Sequence, residues 1–408
     1  MKRTLQSSQT AASPFLSVMA LALIAATYGL ARLGYGLFLP AFSATFELTP
    51  TVGGLLASGA SVSYCVSALI GFRFAPTRPR LVAILAGSTA ASGSAGVATA
   101  QDTLVFAAAV LIAGMGAGFA TPALVELVRR NIPAAQMNKT QSVVNSGTGF
   151  GVVLAGALAL LVGSSWRVAW GLIAVVALGA LIGVLRTDRS RTIGGTTDHL
   201  VTSTRTSAEL RALWHPIMAA FVFGVGVSAV WVHGRILLED QGMAVALSAG
   251  AWIALGMGGA VAVLSAPWLA RHSIRTTWLA TVVASAVATV VFALAPQYIP
   301  LSFAAAALFG LAYTAASSVL IIWATHSATH SAAGTSILFT SLVLGQAVGA
   351  TLTGSIIEGI GFTAAFAIAA GICLLGVLKP APRPHPTGRG QATTNQDRAT
   401  APALETTA

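Results

Sequence analysis

The sequence predicts an all-α integral membrane protein of about twelve transmembrane helices, built as two similar six-helix halves. Composition, a count of apolar segments and an internal repeat each lead there. Of 408 residues, 55% are hydrophobic and 8% are charged, against about 25% charged in an ordinary soluble domain. Thirty-three Asp, Glu, Lys and Arg side chains cannot cover the watery surface that a soluble chain of this length exposes. Much of the exterior therefore faces lipid. The 42 glycines suit helices that approach closely where no hydrophobic effect drives them together.

A span needs about 20 mainly apolar residues. Such segments fall at 15–40, 51–74, 81–100, 103–127, 142–163 and 166–185, and then at 214–237, 247–270, 276–295, 299–324, 333–356 and 361–378. Residues 1–13 form a tail, 14–185 the first half, 186–211 a polar linker and 212–378 the second half. Residues 379–408, rich in Pro, Thr and Arg, read as a disordered tail. Lys2 and Arg3 ahead of an apolar run suggest a signal peptide, but the run to Pro40 is too long for a cleaved one. It reads as a retained first span. Cys65 and Cys373 lie far apart in apolar runs, with neither metal nor redox spacing, and read as buried apolar residues.

Charge placement tests the count. With the N-terminus inside, 19 of the 22 basic residues fall on cytoplasmic segments. The outer loops keep Arg167 and Arg235 and carry Glu47, Asp102, Glu239, Asp240 and Glu358. Basic residues concentrate on the cytoplasmic side of membrane proteins, so the net charge of +11 is a topology signal. It does not call for a nucleic-acid partner.

The repeat is carried by glycines. The fifth segment has Gly147, Gly151 and Gly156; the eleventh has Gly345, Gly349 and Gly354, offset by 198 throughout. Gly114 and Gly310 differ by 196, and the basic loops at Arg73–Arg80 and Arg271–Arg275 lie at a similar offset.

Two six-helix halves joined by a cytoplasmic loop resemble the major facilitator superfamily, whose halves pair about an axis along the membrane normal. Gly71-Phe-Arg73-Phe-Ala-Pro-Thr-Arg78-Pro-Arg80 is similar to that family's loop signature, without its acidic residue. Gly114-Met-Gly116-Ala-Gly118 resembles its fourth-span motif, with Val110 where an arginine is usual. Gly147-Thr-Gly149-Phe-Gly151 with Gly156 resembles the antiporter motif, lacking its proline. The stretches Tyr28–Pro40 and Leu344–Gly349 are similar to a bacterial branch labelled YbfB/YjiJ-like. The resemblance implies a monomeric multi-pass carrier of the bacterial cytoplasmic membrane with both termini cytoplasmic. It also implies alternating access for a small organic solute, coupled to protons, with export ahead of uptake of an organic anion. A non-transporting receptor or scaffold is the remaining reading.

Arg32 lies inside the first segment. A buried arginine costs at least about 2.5–3.5 kcal/mol on insertion scales, so it faces a cavity or a partner. It is a candidate anion contact or proton-site neighbour; a tie to backbone carbonyls is the structural alternative. Tyr28 and Tyr35, each about one turn from Arg32, and Tyr313 could offer rings to a solute. Glu126 precedes Arg129 and Arg130 by three and four residues, the spacing of same-face pairs. It is either paired there or the coupling carboxyl. Trp231, His233 and Arg235 could form an outer gate with Glu239 or Asp240. Asn145 and Gln346 are read as matching amides that bridge helices. His326 and His330 have metal-ligand spacing without a third ligand, so no metal is expected. The three lysines lack a phosphate-loop context, and no paired catalytic groups sit at mid-membrane depth. Neither a cofactor nor an enzymatic activity is expected.

Tags fused to either end are expected on the cytoplasmic side in a protease-protection assay. A tag digested from the outer face at one end would break the twelve-span topology.

Overall fold

Hydrocarbon offers no water to backbone N–H and C=O groups, so each spanning segment must close its own hydrogen bonds. A computed structural model describes residues 14–188, 207–327 and 331–377. The described residues are helical without a strand. Eleven helices are long and apolar enough to cross a membrane. In chain order they are α1 (Phe15–Phe46), α2 (Pro50–Phe74), α3 (Pro79–Thr99), α4 (Thr103–Asn131), α5 (Ala135–Val162) and α6 (Trp166–Thr187). The second set is α7 (Leu213–Asp240), α8 (Val245–Arg271), α9 (Ile274–Leu294), α10 (Ile299–Ser327) and α11 (Gly334–Ile360). The twelfth, α12 (Phe362–Leu375), is a shorter apolar helix. The expected tails at 1–13 and 379–408, linker residues 189–206 and His330 lie outside the described residues.

The helices run past several expected ends. Pro40 does not close the first span, for α1 continues to Phe46. A proline removes one ladder bond, and membrane helices tolerate the loss where neighbours satisfy the freed carbonyl. Two helices carry wide, π-helical turns, α1 over Ala25–Leu33 and α7 over Ala229–His233. Such wide turns cluster at functional sites.

The glycine repeat is a packing repeat. A Cβ at Gly147 or Gly151 would collide with the α1 backbone, at Leu21 and Ala25; one at Gly345 or Gly349 would collide with the α7 backbone, at Phe221 and Val225. The third glycine of each set faces across the halves, Gly156 against Ile253 of α8 and Gly354 against Pro50 of α2. Gly114 seats on Ala60 of α2 as Gly310 seats on Leu255 of α8. Gly116 and Gly118 receive α3 and α2, and Gly71 meets the ring of Pro122. Equivalent glycines thus hold equivalent helix pairs, which fixes α1, α5, α7 and α11 around the interface.

The charged residues sort to two ends. Glu47, Asp102, Glu239, Asp240 and Glu358 mark an acidic end; Arg73, Arg78, Arg80, Arg129, Arg130, Arg271 and Arg275 mark a basic end. At the acidic end Arg167 donates to the carbonyls of Ala98 and Ala100 at 3.2 and 2.6 Å, capping the end of α3 with a cation as the helix dipole favours.

Gly349→Leu is expected to destabilise the purified protein by about 1–3 kcal/mol or to prevent its folding, as overpacking does. Gly359→Leu, where an added Cβ meets nothing within 4 Å, serves as the control and should melt at the wild-type temperature or above. Equal melting temperatures for the two variants would remove the packing role.

Candidate functional site

The wide turn of α1 turns Arg32 toward the other half of the molecule. Its Nη2 donates to Oε1 of Gln346 on α11 at 3.0 Å. Gln346 in turn donates through Nε2 to the Tyr313 hydroxyl on α10 at 3.1 Å. The guanidinium carbon stands 4.7 Å from the ring centre of Tyr64 on α2, a cation–π distance. The Tyr64 hydroxyl lies 2.7 Å from that of Tyr28, which is also 3.2 Å from the Thr121 hydroxyl. Trp231, from the wide turn of α7, sets its ring edge-on to Tyr313 at 5.2 Å. Both halves therefore build one cluster.

A cavity of about 40 Å³ opens within it, lined by Arg32, Tyr35, Ser61, Ser228, Trp231 and Gln346 among others. Water fits such a space, whereas an organic solute needs the halves to part. Nε of Arg32 and Nε1 of Trp231 are buried with no hydrogen-bond partner among the described residues. Unpaired buried donors are costly, and both belong to residues that line this cavity. Arg32 also lacks a carboxylate: the ion pairs among the described residues are Arg80–Asp188, Arg129–Glu126, Arg130–Asp188 and Arg235–Glu239.

The acidic end is latched shut. Arg235, which is 6% exposed, donates to the Leu37 carbonyl of α1 and to Ser248 at 3.0 Å, and pairs with Glu239 at 2.8 Å. Nε2 of His233 lies 3.2 Å from the Pro50 carbonyl of α2. The Thr51 N–H donates to Glu358 of α11 at 2.7 Å, a carboxylate at a helix N-terminus. Ser58 donates to the Ala347 carbonyl and lies 2.7 Å from Thr351. Each contact crosses between the halves except those of Arg235 to Ser248 and Glu239.

Several expected residues fall elsewhere. Trp231 lines the central cavity and not an outer gate, because the wide turn rotates it inward. Arg235 is buried, and its acid is Glu239; Asp240 accepts from Gln241 instead. Tyr35 lines the cavity, but its hydroxyl is engaged by the Gly53 carbonyl at 2.9 Å. Asn145 is exposed and accepts from Gln141 on its own helix at 3.3 Å. The 198-residue glycine register pairs it with Val343, so the match with Gln346 fails. Glu126 pairs with Arg129 at 2.6 Å, while Arg130 and Asn131 bind Asp188, the buried residue that ends α6. Arg73 and Arg78 are exposed at the basic end, and Arg80 is the loop arginine that reaches Asp188, at 3.6 Å. His326 is exposed and bonds back to the Ile322 carbonyl at 2.8 Å.

The family model of the Major Facilitator Superfamily matches residues 21–337 and 261–405, together nearly the whole chain. The chain belongs to the major facilitator superfamily. No curated protein matches it. Among solved structures it is similar to a D-xylose–proton symporter (TM-score 0.74, 12% identity, 89% of this chain and 96% of that one). It is also similar to the nucleoside transporter NupG (TM-score 0.72, 14% identity, 89% and 98%). A third likeness is a bacterial homologue of the human lysosomal transporter Spinster, solved inward-facing and unoccupied (TM-score 0.66, 15% identity, 90% and 95%). This major facilitator protein is thus a multi-pass membrane transporter and not an enzyme. In it, the latch and the central cluster sit on the helices that separate when such halves rock.

Thr51 and Ser355 bring their hydroxyls within 3.4 Å across the latch. Thr51→Cys with Ser355→Cys, on a background lacking Cys65 and Cys373, is expected to form a disulfide under mild oxidant. That bond should stop transport until a reductant is added; oxidised protein that transports normally would show that the latch need not open.

Proposed function

We propose that this transporter carries a small organic anion by alternating access, with Arg32 as its charge contact. One observation carries the reading: a cation lines the cavity between the halves, and the described residues give it no carboxylate partner. A buried guanidinium needs a counter-charge or dense hydrogen bonding. Gln346 and the face of Tyr64 supply part of that, and the unpartnered Nε supports a further acceptor. A carboxylate matches the planar fork of arginine in two points. Tyr28, Tyr64, Trp231 and Tyr313 add hydroxyls and ring faces suited to an organic body.

The basic end is cytoplasmic on this reading, because Lys and Arg collect there. The latched acidic end then faces outward, so the described state is closed to the outside. A proton role for Glu126 is disfavoured, since Arg129 holds its carboxylate away from the central cluster. The α5 glycines, whose pattern resembles that of exporters, seat α1 and α8. That role serves either direction, so the geometry favours a charge class and not a direction.

Arg32→Ala is expected to lower transport of labelled carboxylates about 10- to 100-fold, the worth of a charged hydrogen bond of about 1.5–3 kcal/mol. Arg32→Lys should keep part of it. Membrane content measured by blotting should not change. Full transport by a well-inserted Arg32→Ala protein would remove the anion contact.

A further inference from the structure

The chain has eleven acidic residues. Glu47, Asp102, Glu239, Asp240 and Glu358 stand at the acidic end, and Glu126 and Asp188 stand at the basic end, where arginines hold them. Asp198 and Glu209 belong to the joining segment, and Asp397 and Glu405 to the C-terminal tail. Among the described residues, the middle depth of the bundle therefore holds Arg32 and no acid.

Every passage of a rocking carrier goes through a state shut at both ends. In that state bulk water no longer screens a charge between the halves, and low-dielectric surroundings penalise an unbalanced one. A carboxylate of the protein's own at that depth would balance the cation on an empty return; the described residues offer none there. Gln346 and Tyr64 soften the charge but carry no opposite charge at neutral pH. Water in about 40 Å³ does not cancel it either. The shut state is then reached readily in one way, with an anion on Arg32, and this applies to both legs of the cycle.

We infer that this protein is an obligate exchanger whose return leg carries a second small organic anion at the same Arg32 site. This rests on the anion reading above. The outward and returning solutes are both carboxylates or similar anions, and for equal charges the cycle moves no net charge. Asp in place of Ser61, which lines the cavity with Arg32, supplies the missing counter-charge and frees the empty carrier to turn over.

Two measurements test this. The first uses liposomes of purified protein preloaded with lactate, benzoate, succinate and glucarate, or with sucrose alone. Labelled members of the same panel, with labelled xylose and uridine as neutral probes, are then offered outside. Exchange predicts that at least one labelled carboxylate enters carboxylate-loaded vesicles tenfold or more faster than sucrose-loaded ones, without response to an imposed potential when the two anions have equal charge. Equal entry under both loadings overturns exchange while leaving the anion reading intact. Entry of a neutral probe alone, or of no carboxylate under either loading, overturns the anion reading itself. The second measurement is independent of flux. Spin labels at Thr51 and Ser355, across the latch, should report one short distance in sucrose and a second, longer one when the carboxylate panel is added. Ser61→Asp should show both distances in sucrose. Two distances in unsubstituted protein without any carboxylate would overturn the proposal.

Discussion

An arginine held inside a membrane-spanning helix is the constraint around which the interface is arranged. Its charge resists burial in hydrocarbon by several kcal/mol unless partners or water reach it. Contributions from four helices meet part of that demand, through Gln346, Tyr64 and the hydroxyl chain that runs from Tyr64 to Tyr28 and Thr121. Gln346 passes the bond on to Tyr313, whose ring is flanked by Trp231. Residues from both halves are thus committed to one charge, and any motion that parts the halves must break the Arg32–Gln346 bond or move it onto a ligand.

Two kinds of contact hold the halves around that charge. Glycines bring backbones within reach where lipid gives no hydrophobic reward for association, and the third glycine of each triplet does so across the interface. The polar latch is of another kind. Arg235 and His233 reach backbone carbonyls of the first half, and Glu358 accepts from a helix N-terminus there. Such bonds are directional and few. They can break as a set and re-form, which suits an end that opens in a cycle, whereas the glycine contacts within each half suit a rigid body.

Much of this was legible in the sequence, for physical reasons. Spans of about 20 apolar residues and a segregation of basic residues follow from the bilayer itself, so the helix count and the two charged ends could be read directly. The glycine register could be read because close packing allows no Cβ at those places. Tyr64 gave no signal, since a tyrosine in an apolar segment looks like any other. Its role comes from the packing of α2 against α4 and α11, which sets its ring beside Arg32. The roles of Trp231 and Asp188 were also hidden: a wide turn swings the first inward, and Arg130 and Asn131 at the end of α4 reach the second at the end of α6. Asn145 and Gln346 show the opposite failure. Similar residue types in similar spans look like a pair, although the glycine offset sets them three residues apart.

Selection of the solute by charge is tested most directly by binding. Calorimetric titration of the purified protein with each panel carboxylate and with its uncharged primary amide separates charge from shape. Heat of binding is expected for at least one carboxylate, none for its amide, and none for either with Arg32→Gln protein. An amide that binds as tightly as its acid would contradict it.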